Sequence, residues 1–96
     1  MSIRLDLDAL ESASGRVSRI ANNFSAELNA LGSVVQSSKE YWNDPAQVAF
    51  EAKYNEFRAS MTNFIESLNN YSTAMKTYAE NQRSTLQSGS KMFDSI

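Results

Sequence analysis

The residue types that carry most enzyme chemistry are missing from this chain of 96 residues. It has no Cys and no His, which removes thiolate nucleophiles, disulfide staples, the commonest general base and the commonest metal ligand. Fifteen serines remain. A serine hydroxyl becomes a nucleophile only beside a base, and a Lys in that role needs a desolvating pocket that so short a chain is not expected to enclose. Asp6 and Asp8, or Glu51 and Glu56, do not share a helical face in a way that suits paired acid–base work, and no oxygen-rich calcium loop occurs. The expectation is a protein with no catalytic residue, no metal and no cofactor, and so not an enzyme. Eleven acidic against nine basic residues give a net charge of -2, without the basic face that nucleic acid requires. The N-terminus alternates acids with leucines and lacks the apolar core of a cleavable signal peptide, and no apolar run approaches the roughly 18 residues of a membrane span. Neither nucleic acid nor stable membrane insertion is expected. What the chain does have is large apolar side chains at regular spacing, and their chemistry is docking.

Two helices must position them. The single Pro, Pro45, stands in Tyr41-Trp42-Asn43-Asp44-Pro45. Asp44 suits an N-cap, Pro45 suits the first helical position, and Gln47 falls where a capping-box side chain reaches back. Upstream, Leu10, Val17, Phe24 and Leu31 recur every seven residues, flanked by Ala21, Leu28 and Val35, which predicts an amphipathic helix at about 7–40 capped by Asp6 or Asp8. Downstream, Phe50, Phe57, Phe64, Tyr71 and Tyr78 alternate with Tyr54, Met61, Leu68, Met75 and Gln82 in a 3-4 spacing, the seam of a left-handed coiled coil. This predicts a second helix at about 45–87 after a corner at 41–45. Helix-disfavouring residues in Gln87-Ser88-Gly89-Ser90 predict an end near 87 and a mobile tail over 88–96. The chain reads as one domain.

A short corner forces the helices antiparallel. The predicted fold is therefore all-α, a helical hairpin whose wide apolar stripes call for a second hairpin and an elongated four-helix bundle. Within the seam, Phe50, Phe57 and Phe64 read as core packing, while Tyr54, Tyr71 and Tyr78 divide between core edge and contact surface because each hydroxyl needs water or a partner. Gly15 and Gly32 cost helix propensity, which fits either a close helix approach or a tolerant surface. Lys53, Glu56, Arg58, Lys76, Glu80 and Arg83 fall off the seam and read as a mixed-sign outer face.

At the corner the chain runs Trp42-Asn43-Asp44-Pro45-Ala46-Gln47-Val48-Ala49-Phe50. With a heptad-patterned helix on either side, this resembles the WXG family of type VII (ESX) secretion substrates, similar to the early secreted antigenic target of mycobacteria. Trp42, Ala46 and Phe50 carry the match. The resemblance implies a hairpin that dimerises with itself or with a paralogous WXG-type chain, and export without a cleavable signal peptide by a type VII secretion ATPase of a Gram-positive bacterium, with a role as a virulence factor. It also implies that Trp42, Asn43, Asp44 and Tyr78 serve turn and export recognition, with Trp42 in a notch between hairpin tip and partner. The residues alone offer a second reading of Trp42, as a plug over the end of the bundle. The sequence departs from the family twice. Asp44 replaces the Gly that follows the Trp by two residues, and the export signal, a Tyr followed four residues later by an acid, meets Gln82 after Tyr78 and Met75 after Tyr71. Two functions follow: an exported dimer co-required for secretion, or a binding subunit that pairs with the helical N-terminal domain of a larger toxin and supplies or borrows the signal.

Overall fold

The computed structural model describes residues 5–94, with side chains through residue 85. Two helices account for nearly all of it: α1, Leu7–Ser38, and α2, Pro45–Asp94. They pack against each other as an antiparallel hairpin measuring 79 × 22 × 19 Å. Of the two candidate caps, Asp6 is the one used, its Oδ1 accepting from the Ala9 N–H at 3.0 Å. At the corner, Asp44 Oδ1 accepts from the Gln47 N–H at 3.1 Å, and Pro45 opens α2. Both caps supply an acceptor to N–H groups that have no partner one turn further back.

Two expectations need correction. The second helix does not stop near 87 with a loose tail behind it; α2 continues to Asp94. A single interior Gly costs about 1 kcal/mol and no Pro follows, so the local disfavour of Gln87 to Ser90 falls short of breaking the i to i−4 ladder. Residues 95 and 96 lie outside the described residues. Gln47 does not reach back as a capping-box side chain. Its Nε2 donates across the hairpin to Ser38 Oγ at 3.3 Å, and that hydroxyl donates to the Val35 carbonyl at 2.6 Å. Both side chains are buried, where a cross-helix partner is worth more than an N–H that water can already satisfy.

The contact between the helices is narrow. On α1 the buried residues Ser14, Ala21, Leu28 and Val35 recur every seven residues. On α2 they are matched by Gln47, Tyr54 and Ala79, with Met61, Ile65, Leu68, Ser72, Met75 and Gln82 partly buried along the same line. Leu28, Val35 and Tyr54, supported by Met61 and Ile65, form the main apolar cluster. The Tyr54 hydroxyl donates to the Leu28 carbonyl at 3.2 Å, and this places Tyr54 on the core side of the division left open for the three tyrosines. Gly32 is the reason it fits. A Cβ there would lie 2.6 Å from the Tyr54 hydroxyl, whereas at Gly15 the nearest atom would be Arg19 Nη1 at 3.7 Å. Gly32 thus marks a close approach and Gly15 a tolerant position.

Candidate docking face and hairpin tip

The hairpin has two unlike flanks. On one, α1 presents Leu10 and Val17, half-buried, and Phe24 and Leu31, exposed, with Ile20 and Val34 exposed further out. α2 presents Phe50, Phe57, Phe64, Tyr71 and Tyr78 on the same side, and the two rows meet where the Phe24 and Phe64 rings stand edge to face, 5.7 Å apart at 87°. A groove between Phe24, Leu28, Leu31, Phe57 and Met61 runs along this flank, with Glu27 on its border. The other flank is polar. Its groove is lined by Glu11, Ser14, Ser18, Ser72, Thr73 and Lys76, and the Ser72 hydroxyl crosses it to donate to the Ser14 carbonyl at 2.8 Å.

Within the single hairpin Phe50, Phe57 and Phe64 lie outside the contact between the two helices. All five aromatics of their row are exposed in the single chain, from 38% for Phe50 to 66% for Tyr71. The positions that turn inward come one residue later, at 51, 65, 72 and 79, while Arg58 of that row is exposed. There the sequence has Glu51, Ile65, Ser72 and Ala79, a row too mixed in character for a hydrophobic pattern to single out. Of the ten seam positions, the row of Tyr54, Met61, Leu68, Met75 and Gln82 is shared between hairpin contact and flank, and the aromatic row belongs to the flank alone.

Arg83 was placed on the outer face, and that too is corrected. It joins the helices at the open end: Nε donates to Glu11 Oε1 at 2.9 Å and Nη2 to Asp8 Oδ1. These bonds, to Asp8 first and Glu11 second, push the guanidinium further above its ordinary range. The sequence signal was the antiparallel arrangement itself, which brings the first turns of α1 level with residues near 80. Lys53 and Glu56 do pair on the surface, at 3.4 Å.

At the tip, Trp42 is half-buried and its ring lies against Phe50, centroids 5.5 Å apart and planes tilted 32°. Tyr41, Asn43 and Asp44 beside it are exposed, and Lys39 and Glu51 close the turn with an ion pair at 3.0 Å. Trp42 therefore continues the aromatic row of α2 onto the tip. Tyr78 stands at the far end of that row, exposed, with Gln82 half-buried one turn on. Trp42 and Tyr78 share a flank and are not brought together. Among the described residues no helix is long and apolar enough to cross a membrane, and no group of acids is disposed to hold a metal ion.

A two-helix hairpin with a Trp at its tip and one apolar flank defines a small all-α hairpin protein. The chain belongs to the WXG100 family, described as proteins of 100 residues with WXG, whose model matches residues 2–86. No curated protein matches it in sequence. Crystal structures of the secreted protein EsxB from Bacillus anthracis str. Sterne share its fold. The selenomethionine-labelled form is 24% identical, with a TM-score of 0.80 over 88% of this chain and 97% of that one. The wild-type form is 23% identical, with a TM-score of 0.78 over 86% and 95%. Association of two hairpins into a four-helix bundle is consistent with the family.

Proposed function

We propose that this chain is a small non-catalytic protein secreted through a type VII system of a Gram-positive bacterium, acting as a dimer of hairpins joined through the apolar flank. The exposed aromatic row of α2 carries the reading. The single chain exposes 7527 Å², against about 5,500 Å² for a compact globular chain of its mass. The excess of about 2,000 Å² is what one partner of a large, obligate interface contributes. Membership of the WXG100 family and the fold shared with the secreted protein EsxB support the secretory role. The secretion ATPase is the partner before export, with Trp42, Asn43, Asp44 and Tyr78 as the residues it or an accessory chain reads. Co-requirement for the export of other substrates belongs to the same proposal.

One observation favours a second reading, in which the chain pairs with the helical N-terminal domain of a larger toxin and targets it for export. Gln82 stands where the acid after Tyr78 is expected; under this reading another chain supplies the complete signal, whereas under the first this chain carries a looser one. Export from a native host tests both. Trp42→Ala removes an aromatic that touches Phe50 at the rim, so helix content and dimer mass should hold while export falls sharply. Unchanged export sinks the recognition role. Gln82→Glu should raise export of the chain expressed alone under the first reading. No rise, with export only when a neighbouring toxin is co-expressed, favours the second.

A further inference from the structure

Resting on the reading of the apolar flank as a docking face, we propose that its occupant is a second copy of this chain lying antiparallel to the first, set in register by Glu27 of each copy against Arg16 and Arg19 of the other. Two patterns, one on each helix, locate the same two-fold axis. On α1, residues 12–38 carry three charges, Arg16, Arg19 and Glu27. All three are exposed, and among the described residues none joins an ion pair within the hairpin. The cations stand 11 and 8 residues before the acid, too far to meet it on one helix, where pairs form at a separation of three or four. Arg16 and Arg19 border Ile20 along one groove, and Glu27, on the row of Ile20 and Val34, borders the groove of Phe24, Leu31 and Phe57.

A two-fold axis across the hairpin lays α1 antiparallel on α1 and α2 antiparallel on α2. With that axis close to Asn23, the acid of each copy comes to the cations of the other, and the contact is made twice. On α2, the row of Phe50, Phe57, Phe64, Tyr71 and Tyr78 has Phe64 at its centre. An axis there sets Phe64 against its own mate and each remaining Phe against a Tyr of the other copy, in pairs that gain from edge and offset contacts. The two centres come from separate patterns, and the Phe24–Phe64 contact brings them to one level of the hairpin. With the axis along the hairpin instead, α1 would lie parallel on α2 with Glu27 over the uncharged stretch 59–65. That leaves a carboxylate at the border of the interface with no charge to replace its lost hydration. The surface exposed in excess of a compact chain, about 2,000 Å², matches the share of one hairpin in an interface with a second.

Sedimentation equilibrium of the full chain near neutral pH tests this with the wild type, Glu27→Lys and the double variant Arg16→Glu, Arg19→Glu, with circular dichroism of each confirming the fold. Each variant alone should self-associate at least about tenfold more weakly than the wild type, because like charges then face each other. Their equimolar mixture should recover association as a mixed dimer in which every charge is again paired, a preference that shrinks as salt is added. The chain has no Cys, so a single introduced thiol reads the orientation. Asn23→Cys, beside the axis, should link to its own mate through a short bis-maleimide, while Ser37→Cys, near the end of α1, should not. A mixture that associates no better than its components, or no link in Asn23→Cys, overturns the register and leaves the docking face standing. A wild type that stays monomeric throughout the concentration range overturns the docking face and this proposal together.

Discussion

The two halves of the hairpin are held together by different means. In the tip half, Leu28, Val35 and Tyr54 fill the contact, and the helices are joined by a Tyr hydroxyl that reaches the Leu28 carbonyl. In the open half the buried positions are Ser14, Ala21 and Ala79, the joining hydroxyl belongs to Ser72, and Arg83 ties the end to Asp8 and Glu11. The same device, an α2 hydroxyl donating to an α1 carbonyl, thus appears at two lengths. In the tip half the Tyr54 hydroxyl makes the bond beside Gly32, which leaves it room, and in the open half a Ser hydroxyl makes it. Apolar area removed from water stabilises the first half at about 25 cal/mol per Å². The second half has little such area, and its hydrogen bonds exchange for bonds to water at small net gain. The tip is therefore expected to be the stable end and the open end the one that frays.

The largest effect should come from the apolar cluster. Leu28→Ala removes a buried side chain beneath Tyr54 and should cost about 3 kcal/mol, read as a lower urea midpoint, with amide protection lost along both helices. An equally large loss from Ser14→Ala would break the proposed contrast between the halves.

The two glycines should respond with opposite signs. At Gly32 an added Cβ collides with a buried hydroxyl, forcing the Tyr54 ring off the Leu28 carbonyl. Gly32→Ala should therefore destabilise the protein by about 1–2 kcal/mol despite its better helix propensity. Gly15→Ala meets only the end of the Arg19 side chain and should stabilise by about 0.5–1 kcal/mol. Thermal melts of both variants decide the matter, and the same sign at both sites would mean that Tyr54 has room to spare.

Arg83→Ala should have the smallest effect on global stability, since the side chain is partly solvated and such pairs are screened. Its signature is local: amide exchange of the first turns of α1 should quicken while the tip is unaffected, and added salt should reproduce part of the effect in the wild type. Exchange quickening equally at both ends would sharpen the comparison against us, because the halves would then open as one unit.

How much of this was legible follows from what each side chain shows to a pattern. The caps at Asp6 and Asp44 and the start at Pro45 were readable because capping is a contact within one turn. The heptad stripes were readable because they repeat. The direction of the stripes was not: Phe50, Phe57 and Phe64 look like core on hydrophobicity alone, and only the antiparallel packing puts the Ile65, Ser72 and Ala79 row inward. Arg83 and Gln47 escaped for the same reason, since their partners lie 72 and 9 residues away in sequence.

By itself, then, the sequence determined an all-α hairpin with a Trp at its corner and too much apolar surface for one chain, because helix periodicity, capping and composition are local properties that add up along the chain. Tertiary structure alone decided which apolar row closes the hairpin and which is left for a partner. Two helices can touch along only one narrow strip; Leu28, Val35 and Tyr54 fill it at one end and Ser14, Ala21 and Ala79 at the other, so the row of Phe50, Phe57, Phe64, Tyr71 and Tyr78, further round α2, is turned outward.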